Sequence, residues 1–192
     1  MKSKLPVEVI EEYKNWEPPV RLKRVVERIL KVLPPDKLVG IGTVVLTNAS
    51  GLNRVRRREK SRSRKRSLSL EAIGGFYHHA HKGKPAWIEL FIDNTFVNQP
   101  PCAWRLPFWR NWVIGCMLCH EIGHHIHFTM KPEFRECEDV ADDWGLKLVR
   151  YQYGQLHYLA STNTSIIHPF MKLMRKLDAR KRQKQMGQTP LE

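Results

Sequence analysis

A long apolar segment, Phe108 to Thr129, constrains the fold of this chain more than any other feature. It reads FWRNWVIGCMLCHEIGHHIHFT and contains few charged residues. Apolar side chains recur on every face of the segment, which is typical of a buried central helix rather than a surface helix. We therefore expect the other elements of the fold to pack around this helix.

The same segment contains an HExxH pattern formed by His120, Glu121 and His124. Residues four apart lie on one face of a helix, so the imidazoles of His120 and His124 can converge on one metal ion. Glu121 is rotated by about 100° from His120 and can reach a water molecule at the metal without being a ligand itself. Two histidines do not complete a tetrahedral site, so a third ligand is required.

The segment from Pro132 to Arg150, PEFRECEDVADDWGLKLVR, offers candidates for that third ligand. Its proline and its acidic first turn are typical of a helix N-terminus. A helical projection turns Glu138 and Asp142 toward the apolar side, where a carboxylate without a partner is costly. Ala141 and Gly145 are small enough to let two helices approach closely. A solvated acidic face is the alternative interpretation of this helix.

HExxH followed by Glu138-Asp-Val-Ala-Asp142 resembles the gluzincin metallopeptidases, of which thermolysin is the best known. The pattern is still more similar to their small single-domain members, the minigluzincins, in which ExxA[DN] follows the zinc helix closely. The resemblance covers roughly Ala86 to Val149. It implies that His120, His124 and Glu138 bind zinc, and that Asp142 holds the distal nitrogen of a ligating imidazole.

The resemblance also implies a fold and an activity. The expected fold is α+β and zincin-like, with a small, mostly antiparallel sheet packed on the central HExxH helix and with further helices. The expected function is that of a zinc-dependent peptidase, which hydrolyses peptide bonds by a metal-activated water with Glu121 as general base.

Two further parts of the expected active site follow from the resemblance. The strand from Trp87 to Asp93 would edge the cleft and bind an extended substrate, with Trp87, Glu89 and Phe91 as the candidate substrate-binding residues. An ordinary sheet strand is the alternative. For the second donor to the oxyanion, the candidates are Tyr153, His157 and Tyr158, of which we favour His157.

A competing motif overlaps the HExxH pattern. Cys116 to His120 spells CxxCH, the attachment motif of c-type haem. Haem attachment would use His120, so that this residue could not bind zinc. It would also leave Glu121, His124, Glu138 and Asp142 without a role. A zinc site built on Cys116 and Cys119 lacks a second CxxC pair. The metallopeptidase interpretation is therefore favoured.

The length and composition predict one domain over residues 1–192, with a basic flexible insertion at 53–67 and a basic tail at 180–192. No apolar run reaches the ~18 residues of a membrane span, and the N-terminus lacks the pattern of a signal peptide. Four cysteines are too few for a disulfide framework in a chain of this length. We therefore expect a cytoplasmic protein with reduced thiols.

Periodicity and breaker residues predict the remaining elements. We expect a packing helix over Val20 to Leu33 and strands over Lys37 to Asn48, Leu68 to His79 and Ala86 to Phe96. Another packing helix is expected over Ile166 to Leu177.

Two segments carry the net charge of +14. Arg54 to Arg66 contributes +8 and Lys172 to Lys184 contributes +6, so the rest of the chain is balanced. Such segments can bind nucleic acid without sequence preference, or they can simply increase solubility. A single-strand binder would be expected to carry aromatic residues between its arginines. The sequence has none between the arginines of these two segments. The alternative to a peptidase is a non-catalytic or regulatory zinc module that associates with nucleic acid.

Overall fold

The computed structural model describes residues 7–63, 66–97, 104–130 and 137–153. Its helices and strands, in chain order, are β1 (Glu8–Glu12), α1 (Lys23–Val32), β2 (Ile41–Thr47), α2 (Arg54–Arg58), β3 (Lys60–Ser63), β4 (Arg66–Ser69), β5 (Gly75–His78), β6 (Ala86–Phe91), α3 (Ile92–Val97), α4 (Pro107–Met130) and α5 (Cys137–Tyr153). The predicted α+β class is therefore confirmed.

Four strands form one mixed sheet in the order β1-β2-β6-β5. The strands β1, β2 and β6 are parallel, and β5 is antiparallel to β6. The prediction of a mostly antiparallel sheet is wrong, because two of the three pairings are parallel. Parallel neighbours need a crossover connection, which α1 provides between β1 and β2.

The strand β6 lies in the interior of the sheet, between β2 and β5. Glu89 of β6 is in register with Val45 of β2 on one side and with Phe76 of β5 on the other. The backbone of β6 is therefore already paired on both sides and cannot pair with a substrate. The prediction that Trp87 to Asp93 edges the cleft is wrong, since β5 occupies the sheet edge that contacts α4.

One face of the sheet packs against α1 and α4. Alternate residues of the two central strands point into this core and are completely buried, namely Val44, Leu46, Ile88 and Leu90. The helix α4 adds a completely buried stripe at four-residue spacing, namely Ile114, Leu118, Ile122 and Ile126. The HExxH helix is therefore a buried central element, as its apolar character predicts.

The helices α4 and α5 cross at very short distance. A Cβ atom placed on Gly123 would lie 2.3 Å from the carbonyl oxygen of Ala141. A Cβ atom placed on Gly145 would lie 3.2 Å from Cα of His120. The close approach expected from Ala141 and Gly145 is therefore observed, and Gly123 in the HExxH helix is equally necessary for it.

The basic insertion at 53–67 contains α2 and an antiparallel hairpin formed by β3 and β4. Asn53 caps α2, because its side chain accepts a hydrogen bond from the backbone N–H of Arg56. The Arg56 side chain binds the carboxylate of Glu89 with two hydrogen bonds, of 3.0 and 2.7 Å. This pair attaches α2 to the outer face of the sheet, opposite α4.

The remaining predictions have mixed outcomes. The predicted strand over Leu68 to His79 is divided by a 3₁₀ turn, Leu70–Ala72, into β4 and β5. The predicted helix at 166–177 and the tail at 180–192 lie outside the described residues. No helix in the described ranges has the length and apolar character needed to cross a membrane.

The helix crossing predicts a large effect of a small substitution. Alanine at Gly123 gains roughly 1 kcal/mol of helix propensity, but its methyl group meets the backbone of α5. We expect Gly123→Ala to lower the free energy of unfolding by about 1–3 kcal/mol. Urea denaturation measures this change in the free energy of unfolding. The control is Tyr151→Ala at an exposed position, whose free energy of unfolding should stay within about 0.5 kcal/mol of the wild-type value. A Gly123→Ala protein of unchanged or higher stability would contradict the described crossing.

Candidate metal centre

The helix crossing brings together two histidines of α4 and one glutamate of α5. Nε2 of His120 lies 3.7 Å from Oε2 of Glu138, and Nε2 of His124 lies 3.7 Å from Oε1 of the same carboxylate. One ligand atom from each residue can be chosen so that all three lie within 4.8 Å of one another. His120, His124 and Glu138, the three ligands predicted from the sequence, therefore form one group in space.

The spacing of these atoms suits a shared cation. Two ligands that lie 2.0–2.1 Å from a tetrahedral ion are about 3.3–3.5 Å apart. The observed 3.7 Å separations are too long for good hydrogen bonds and only slightly longer than this ligand spacing. The three residues could therefore hold a metal ion between them.

Asp142 orients one of the two imidazoles. Its Oδ1 atom lies 2.9 Å from Nδ1 of His120, one helical turn after Glu138. A carboxylate accepts, so Nδ1 of His120 carries the hydrogen and Nε2 keeps its lone pair directed at Glu138. The carboxylate thus fixes the tautomer that a metal requires.

His124 is held in the neutral form that binds metals. Burial, together with the neighbouring His120 and His127, lowers the pKa of His124 to about 3. A neutral imidazole offers a lone pair to a cation without first releasing a proton. His124 is therefore suited to act as a ligand at neutral pH.

Glu121 is buried beside these ligands, with its carboxylate against β5. A Cβ atom on Gly75 would lie 2.5 Å from Oε1 of Glu121, so glycine is needed to leave room for the carboxylate. Burial and the charge of Glu138 raise the pKa of Glu121 to about 8, against the opposing effect of a backbone hydrogen bond from Tyr77. A carboxyl group with such a pKa can accept and release a proton near neutral pH.

A cleft of about 820 Å³ opens over this group, between β5 and the two long helices. Its polar floor is formed by the candidate ligands together with Glu121 and Asp142. Its walls are mainly apolar, and they include Ile73, Met117, Phe128, Leu146 and Val149. A volume in the range of about 300–1,000 Å³ with a few convergent polar groups is typical of a substrate site.

The sequence-predicted substrate residues do not line this cleft. Glu89 and Trp87 point to the opposite face of the sheet, where Glu89 binds Arg56. Phe91 is completely buried in a separate small core. Trp87, Glu89 and Phe91 are therefore wrong as substrate-binding residues of the metal cleft. His157 lies outside the described residues.

The cysteines of the CxxCH motif do not join the candidate ligands among the described residues. Cys119 is completely buried, and Cys116 is partly exposed at the cleft. Burial raises the pKa of the Cys116 thiol to about 12 and also raises that of Cys119. Both side chains are therefore neutral thiols rather than the thiolates that bind metals.

Sequence reasoning missed the role of β5 as the wall of the cleft. Gly75 admits the Glu121 carboxylate, and the Tyr77 hydroxyl lies 3.1 Å from Nδ1 of His125. Nε2 of His125 in turn lies 2.9 Å from the backbone oxygen of Val39 and must donate to it. A glycine inside a strand pattern marks the close approach of another group, and the adjacent Gly74 and Gly75 were that signal.

Comparisons with known proteins add no assignment to this site. No family model matches the chain, and neither the curated proteins nor the solved structures gave a match. The functional interpretation therefore depends on the arrangement of the residues described above.

Two adjacent glycines provide a test of the cleft wall. A Cβ atom at Gly75 collides with the carboxyl group of Glu121, whereas at Gly74 its nearest neighbour is Sδ of Met117 at 3.1 Å. The flexible end of Met117 can move, whereas the carboxyl group of Glu121 is buried and held by a backbone hydrogen bond from Tyr77. We expect Gly75→Ala to lower the free energy of unfolding by about 1–3 kcal/mol more than Gly74→Ala. Equal effects in urea denaturation would show that Glu121 does not lie against β5.

Proposed function

We propose that this protein is a zinc-dependent peptidase of the gluzincin type, with a zincin-like fold. The observation that carries the proposal is the convergence of His120, His124 and Glu138 beside the buried carboxyl group of Glu121. Two imidazoles and one carboxylate form a donor set that catalytic zinc sites use.

The number of candidate ligands favours catalysis over a purely structural role. Structural zinc sites are usually closed by four protein ligands, whereas catalytic sites use three and keep one position open. Within the described ranges, three residues gather at this point, and they face a cleft of about 820 Å³. A non-catalytic zinc module would need neither the cleft nor a buried carboxyl group next to the ligands.

The sheet edge offers a way to bind a peptide. Among the described strands, β5 pairs only with β6, so its other edge faces the cleft without a neighbouring strand. An extended peptide can add to such an edge through backbone hydrogen bonds, which give affinity with little sequence selectivity. We therefore place the substrate backbone along β5 rather than along β6.

Each polar residue then has a defined task. When bound, zinc would supply a Lewis acid that polarises the substrate carbonyl and makes a water molecule more acidic. Glu121 is the general base: it takes a proton from the attacking water and delivers it to the departing amine. Asp142 keeps Nε2 of His120 directed at the metal position.

The substitution Glu121→Gln tests this assignment. Glutamine has the shape of the neutral carboxyl group, so the fold and the zinc ligands should be retained. Because the general base is lost, we expect hydrolysis of casein or of a peptide library to fall by about 100-fold or more, with the zinc content unchanged. A zinc chelator should abolish the activity of the wild-type protein.

The matched control for this test is Asp143→Asn, the same change of a carboxylate to an amide on the exposed side of α5. It should hydrolyse substrates at the wild-type rate. Undiminished hydrolysis by Glu121→Gln, or fragments that form equally well in the presence of chelator, would refute the proposed mechanism.

A further inference from the structure

A second cleft, of about 430 Å³, lies on the outer face of the sheet. None of the residues that line it also lines the metal cleft. Thr43, Val45 and Trp87 of the two central strands point into it, and Lys14 and Lys84 border it. This outer cleft is thus a separate concave surface, and its size falls within the range of about 300–1,000 Å³ for small-ligand sites.

Trp87 presents an aromatic surface to the outer cleft. The ring of His78 stacks on the indole at a centroid distance of 3.6 Å and an interplanar angle of 3°. Thr43 of β2, which is in register with Trp87, lines the outer cleft. His78 does not line it. The cleft therefore borders the side of the indole that faces away from His78. A planar group entering there would extend the existing stack.

An ion pair between the half-buried Arg56 and the buried Glu89 fixes the position of α2 beside this aromatic surface. Glu89 is buried and accepts two hydrogen bonds from Arg56, and its Oε2 atom also lies 3.2 Å from Nε2 of His78. Separating such a pair would leave a buried charge without a partner, which is strongly unfavourable. The helix α2 is therefore held at the rim of the outer cleft.

The charge around the cleft is arranged asymmetrically. Arg54 and Arg58 are exposed on α2, within the segment that carries a net charge of +8, although Arg56 is the α2 residue that lines the cleft. Lys84 is exposed at the same cleft. Two carboxylates also line the cleft: Glu89 is paired with Arg56, and the exposed Glu12 belongs to β1, at the opposite edge of the sheet from β5. An anionic chain would therefore be attracted to the side with α2 and repelled from the side with β1.

We propose that the outer cleft binds single-stranded nucleic acid, with one base stacked on Trp87, the neighbouring phosphates at Lys14 and Lys84, and phosphates beyond the cleft at Arg54 and Arg58. Single-strand binders combine a positively charged groove with an aromatic side chain on which a base stacks. The arginine segment contains no aromatic residue in the sequence, and the fold supplies one from β6. A duplex does not fit this arrangement, because the faces of its bases are stacked on one another.

The proposal is tested on the full chain with a fluorescent oligothymidylate of about 20 nucleotides. Fluorescence anisotropy measures its binding over a range of salt concentrations. Trp87→Leu should weaken binding about fivefold or more, with an unchanged salt dependence. The double variant Arg54→Gln/Arg58→Gln should reduce the slope of log K against log salt by about 0.7 for each phosphate that is no longer neutralised. The neutral variant Thr43→Met, which fills the cleft without touching the His78 stack, should weaken binding as Trp87→Leu does.

The matched control is Arg24→Gln/Arg28→Gln, which removes two exposed charges from α1 on the other face of the sheet and should bind like the wild type. Wild-type affinity in Thr43→Met and in the Arg54/Arg58 variant would overturn the proposal and assign binding to the basic residues at 172–184. A parallel titration with polyglutamate separates a nucleic-acid site from a general polyanion site. If Thr43→Met and Trp87→Leu weaken both ligands equally, the stacking interaction is refuted.

Discussion

The close crossing of α4 and α5 is the contact on which the candidate metal site depends. Gly123 packs against the backbone of Ala141, and Gly145 packs against the backbone of His120. This separation places a carboxylate of one helix within 3.7 Å of two imidazoles of the other. Larger residues at the crossing would hold the helices apart, and the three side chains could not reach one ion.

The sheet supports this crossing from the other side of α4. A completely buried apolar stripe packs α4 against the sheet at β6, while β5 contacts the face that carries Glu121. Burying polar groups is costly unless they have partners. Asp142 is the partner of His120. His125 has two partners, the Tyr77 hydroxyl and the backbone oxygen of Val39. The backbone of Tyr77 is the partner of Glu121. These hydrogen-bond partners of the polar residues of α4 thus come from neighbouring elements and not from α4 itself.

Local signals in the sequence were sufficient to predict the helical part of the site. The apolar run at 108–129 corresponds to α4 within one residue at each end, and the helical projection correctly turned Glu138 and Asp142 toward α4. Strand order was not predictable in this way, because it depends on contacts between segments far apart in the chain. The strand β1, with the sequence EVIEE, was missed because glutamates outnumber its apolar residues. The resemblance to zincin-like folds led to the prediction that β6 is the edge strand, although β5 forms the edge.

The central claim is that the two imidazoles and the Glu138 carboxylate hold one zinc ion, and X-ray absorption at the zinc edge tests it most directly. The full chain loaded with one equivalent of zinc should show only nitrogen and oxygen neighbours, at about 2.0–2.2 Å. The imidazole contribution should decrease in His124→Ala. A sulfur neighbour at about 2.3 Å, which would assign the ion to a cysteine, or a spectrum unchanged by His124→Ala, would contradict the claim.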